Sequence, residues 1–91
     1  MRTPRSLPGG DLIDAGVEDL SAGVVSVASL LVSIGAPRLA RAGIDVPRPF
    51  PDPERRLYDL LASEDAAAAH GRYNALIRRL VSYERSLPFG P

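Results

Sequence analysis

The chain has no cysteine, no lysine and no tryptophan, and one histidine in 91 residues. Without cysteine there is no disulfide, thiol nucleophile, iron–sulfur cluster or cysteine-based zinc site. With His70 alone, one chain cannot supply a two-histidine metal site. All eleven basic residues are arginine and they balance eleven acids, so the formal net charge is zero. A nucleic-acid binder draws affinity from neutralising phosphates and usually carries a positive excess. No such excess exists here. Long apolar runs are missing too. The longest, 24–37, is interrupted by Ser26, Ser29 and Ser33 and falls short of the ~20 residues needed to span a bilayer. Arg2 and Arg5 are followed by Pro8, Gly9, Gly10 and Asp11 where a secretory signal needs an apolar segment. These features lead us to expect a cytoplasmic protein.

What is present is material for one small domain. Hydrophobic residues make up 45% of the chain, mostly aliphatic. A domain this small buries only about two-thirds of its unfolded surface and often gains stability from a partner. Arginine without lysine, together with abundant alanine, matches the codon bias of a GC-rich bacterial genome.

The periodicity predicts an all-α fold, a small bundle of about four helices over 11–87. A flexible N-terminal tail over 1–10 and a short C-terminal tail over 88–91 are expected to flank it. Asp11 is placed as the cap of a first helix running to Ala22, with Leu12, Ile13, Ala15, Gly16, Val17 and Leu20 forming an apolar stripe and Asp14, Glu18 and Asp19 in water. Ser26 is expected to cap a second, central helix with Val27, Ala28, Leu31 and Ile34 on one face and Ser29 and Ser33 opposite. Pro37 then either kinks that helix, ends it, or opens a short helix stopped by Gly43. Residues 44–52, IDVPRPFPD, form a stiff proline-rich connector. Asp52-Pro53-Glu54 opens a third helix, Asp as cap and Pro at its first position, ending near Ser63. Asp65 is expected to cap the fourth helix, which runs to Leu87. Ala69, Tyr73, Leu76, Leu80, Tyr83 and Leu87 recur there at spacings of 4, 3, 4, 3 and 4.

No catalytic constellation emerges. His70 and Asn74 lie one helical turn apart and Arg78 extends the row, but no nucleophile or orienting acid accompanies them. The row reads as rim decoration sooner than as an anion site. The acids all read as solvated, whereas paired-carboxylate chemistry needs one in an apolar setting. Phosphate-binding glycine loops and nucleophile elbows are absent. A ribonuclease pair of the Arg-x(4–6)-His type would need Arg at 63–65, where Ser63, Glu64 and Asp65 stand. No cofactor and no metal are expected, and no enzyme.

Two features of the last helix point outward. Arg72, Arg78, Arg79 and Arg85 against Glu84 alone make a local positive surface. Ala68, Gly71, Ala75, Ser82 and Ser86 share an arc opposite the apolar seam, where small side chains permit close approach of another helix. Exposed alanine is also simply a good helix former.

The segments LLVSIGAPRLARAGI (30–44) and LYDLLASEDAAAAHGRYNALIRRLVSYERSL (57–87) resemble small actinobacterial helical proteins of unknown function. The resemblance covers most of the chain beyond residue 10 and brings no catalytic residues with it. It implies an accessory role beside a partner, such as that of an antitoxin-like subunit.

The expected function is therefore a non-catalytic helical protein–protein interaction module, an oligomerising or antitoxin-like accessory subunit. Its interface candidates are Arg72, Tyr73, Ala75, Leu76, Arg78, Arg79 and Leu80. One alternative is a small nucleic-acid-binding regulator using the arginine face. Another is a small-molecule binder or enzyme around Tyr58, His70, Tyr73 and Asn74.

Overall fold

The structure, a computed structural model, describes residues 10–87. Four helices follow in order: α1 (Gly10–Ser21), α2 (Val27–Arg41), α3 (Pro53–Glu64) and α4 (Ala69–Ser86). The all-α fold expected from periodicity is what the chain adopts. The tails expected over 1–10 and 88–91 lie outside the described residues, except that Gly10 already belongs to α1.

Helix α2 is the hub. Leu30, Leu31, Val32 and Leu39 are buried, and α1, α3 and α4 all pack on it. Ile13 and Leu20 come in from α1, Leu57 and Leu61 from α3, and Ala69, Leu80 and Tyr83 from α4. At Gly16, α1 and α2 come as close as backbones allow. A Cβ there would meet the Ala28 carbonyl carbon at 2.9 Å, with the Ala28 oxygen and Val32 Cγ2 closer still.

The turn between α1 and α2 is held by reciprocal caps. Ser26 Oγ accepts from the Ser29 N–H at 3.0 Å, and Ser29 Oγ accepts from the Ser26 N–H at 2.8 Å. This arrangement satisfies two backbone donors that a helix start would otherwise leave bare. Ser26 Oγ also donates to Asp19 Oδ2 at 2.7 Å, tying α1 to the cap.

Several expectations change on contact with the fold. Ser29 and Ser33 are buried instead of facing water. The proline-rich connector folds back over α2, and the Phe50 N–H donates to Ser33 Oγ at 3.0 Å. Asp14 is also inside, at 7% exposure, and Asp19 is half-buried, so only Glu18 of the three acids is fully in water. Pro37 neither ends α2 nor opens a new helix: α2 runs through it to Arg41. Pro37 is itself exposed and removes one backbone donor, and burial of Leu39 two residues on offsets that loss. Asp11 sits in the first turn of α1, one residue inside the start. Asp52 does precede Pro53, but in a left-handed conformation (φ 50°) with no side-chain capping bond. Asp65 caps the turn ahead of α4, accepting from the Ala67 and Ala68 N–H groups at 3.2 and 3.3 Å. The helix itself starts four residues after Asp65, at Ala69.

Candidate functional site

The outward-facing residues are those of α4 and its junction with α3. The seam of α4 keeps to one face but is buried unevenly along its length. Ala69, Leu80, Tyr83 and Leu87 are buried, while Tyr73, Leu76 and Ile77 stay half-buried. Between 70 and 79 no residue of α4 is buried. Tyr73 meets Tyr58 of α3 with ring centroids 5.7 Å apart and planes at 57°, a tilted aromatic pair. Burial chiefly, and then the nearby negative charge of Glu54, raises the Tyr73 phenol pKa.

On the opposite side of α4, Gly71, Ala75, Arg78, Ser82 and Arg85 form an exposed strip. Nothing lies within 4 Å of a Cβ built on Gly71. Arg72 is not free rim: its Nη1 is 2.9 Å from Glu64 Oε1, a charged bond that joins α4 to the end of α3. Arg78, Arg79 and Arg85 form no ion pair with another described residue. They do not reach the acids of α1. Arg78, Arg79 and Ala75 are therefore open to a partner, Tyr73 and Leu76 are half-covered, and Leu80 belongs to the core.

The four residues of the small-molecule alternative form two pairs. Tyr58 packs on Tyr73, and Asn74 Nδ2 lies 3.2 Å from His70 Nε2. His70 and Asn74 are both exposed. An open cleft of about 280 Å³ lies elsewhere, lined by Leu20, Ser21, Ala22, Gly23, Arg48 and Phe50. Among the described residues, no group of three or more His, Asp or Glu side chains is placed to hold a metal ion. No described helix is long and apolar enough to cross a membrane.

Glu84, like Asp14, departs from the solvated behaviour expected of all the acids. Burial raises the Glu84 pKa, and Arg38, 3.7 Å away, opposes that rise without cancelling it. The signal in the sequence is its position one turn after Leu80, on the core side of α4. A raised pKa means that ionised Glu84 costs the folded state stability. Its favourable contribution is complete below the ordinary value of 4.5 and is lost as pH rises through the folded value. Glu84→Gln is expected to leave the urea midpoint unchanged below that pH and to raise it at pH 7. A lower midpoint at pH 7 would mean that the Arg38 pair outweighs desolvation.

No family model matches the chain, and neither a curated protein nor a solved structure matches it. The functional reading rests on the residues themselves.

Proposed function

We propose that the protein is a non-catalytic, helical protein–protein interaction module acting in the cytoplasm, with α4 as its contact helix. One observation carries this reading. The longest described helix, 18 residues, commits only Ala69, Leu80 and Tyr83 to the core and turns a row of small residues and unpaired arginines outward. Arginine is favoured as an interface anchor because its planar fork pairs with carboxylates and its stem covers apolar surface. Small residues between the arginines let a second helix approach.

The same three unpaired arginines favour one further reading, a nucleic-acid-binding regulator. Three phosphate contacts would give a salt slope of roughly −2.7 on duplex DNA, a weak footprint for a neutral chain. Binding to duplex at low salt with that slope would favour this second reading over the first.

Ala75→Trp tests the interaction module. Position 75 is exposed, so the thermal melt is expected to stay within the usual surface-substitution range, about ±0.5 kcal/mol. The wild-type chain is expected to run above its 9.7 kDa monomer mass, either purified at high concentration or in extract of its native cells. Ala75→Trp is expected to return it to the monomer. A wild-type monomer in both settings, or a complex indifferent to Ala75→Trp, would overturn the proposal.

A further inference from the structure

The geometry points to a second copy of this chain as an occupant of the α4 strip, docked through the outer face of its α1 antiparallel to α4. The inference rests on the reading of α4 as the contact helix and names the partner's chemistry. Its basis is a division of charge that the neutral total conceals. Helix α1 carries four acids and no basic residue, whereas α4 carries four arginines and one acid. Within one copy no ion pair among the described residues joins the two sets, because α1 packs on α2 whereas α4 packs on α3 and α2.

The exposed rows match in period as well as in sign. On α1, Asp11, Ala15 and Glu18 are exposed and share a face. On α4, Arg78, Ser82 and Arg85 are exposed and share a face. In both rows two charges sit seven residues apart, a step of about 10.5 Å along the axis, with one small residue between them. Laid antiparallel, Asp11 faces Arg85 and Glu18 faces Arg78, with Ala15 and Ser82 between them, offset by one residue, about 1.5 Å. Ala22, just past the end of α1, then falls within one residue of Ala75. This orientation also opposes the helix dipoles, setting the start of α1, with Asp11 in its first turn, against the end of α4. Asp11, Glu18, Arg78 and Arg85 form no ion pair with another described residue, so docking breaks none. If each copy offers α1 to the other's α4, the contact closes as a two-fold dimer.

Charge exchange tests the pairing by sedimentation equilibrium on the full chain at low salt. Glu18→Arg and Arg78→Glu are each expected to weaken self-association about tenfold or more, since each sets like charges together twice per dimer. The two reversals in one chain, or an equimolar mixture of the two single variants, are expected to restore it to within about threefold. Salt at about 0.5 M is expected to weaken the wild type, because exposed pairs are screened. Should a reversal prevent folding, Glu18→Gln and Arg78→Gln replace it, with a several-fold weakening expected. A wild-type monomer at every concentration, or a dimer indifferent to both reversals, would overturn the inference. If Ala75→Trp still disrupts a complex in extract, the interaction module survives that result and only the self-docking fails. If it does not, both fail.

Discussion

Tyr83→Ala is expected to cost about 4 kcal/mol, the range found when a large buried aromatic is truncated. Tyr83 is fully buried on α4 and packs in the cluster that joins α4 to the rest of the fold. Tyr83→Phe is expected to behave in the opposite way. The Tyr83 hydroxyl is buried with no hydrogen-bond partner among the described residues. A buried polar group without a partner carries its desolvation cost uncompensated, about 1–3 kcal/mol. Removing the oxygen while keeping the ring should leave stability unchanged or raise it, by up to ~1 kcal/mol. The same burial, with the negative charge of Asp14 as the second cause, raises the Tyr83 pKa above its ordinary 10.0. Tyrosine is neutral when protonated, so its contribution is intact below pH 10 and is lost as pH climbs through the folded value. Urea midpoints of the three proteins at pH 7 and above pH 10 check both statements. Tyr83→Phe should lose less stability in alkali than the wild type. A Phe variant destabilised by more than ~1 kcal/mol at pH 7 would show that the hydroxyl has a partner.

Gly16→Ala is expected to cost about 3 kcal/mol, equivalent to roughly 15 °C in melting temperature for a domain of this size. Alanine is normally the better helix former by about 1 kcal/mol, so propensity predicts the opposite sign. Packing decides the outcome. The new methyl would press on the α2 backbone at Ala28, which cannot rotate away as a side-chain tip can. Gly71 is the control in the same molecule, a helical glycine with open space where its Cβ would be. Gly71→Ala should therefore raise the melting temperature while Gly16→Ala lowers it. Equal shifts at the two positions would mean that α1 and α2 separate freely.

The contrast between these glycines shows what can be read from the sequence. Local chemistry was legible. Ser26 at the start of α2, Pro53 at the start of α3 and the 4-3-4-3-4 seam of α4 are each fixed by residues within a turn or two. Tertiary approach was not. Nothing local marks Gly16 as the crossing point with α2 and Gly71 as open. Ser29 and Ser33 look like a solvated face until the connector returns and Phe50 bonds to Ser33. Asp14 looks like the other acids of α1, and its burial depends on what packs over it. Pro37 signals a break to any local reading, yet the burial of Leu39 carries α2 past it. The candidate site divides in the same way. Exposure of Ala75, Arg78 and Arg79 followed from the helical period. The Arg72–Glu64 bond, the half-buried Leu76 and the closed position of Leu80, which lies against Gly35 of α2, required the arrangement of α2 and α3 beside α4.

The central claim is that another protein surface covers the outer strip of α4. The absence of cysteine makes one measurement direct: alkylation of Ala75→Cys, the only thiol in its chain, against Ala40→Cys on the exposed side of α2. Rates are compared in dilute purified protein, in concentrated purified protein and in extract of the native cells. The account predicts that both thiols react alike when dilute, and that Cys at 75 slows several-fold in at least one of the other two settings. Equal rates at the two positions in all three would contradict it.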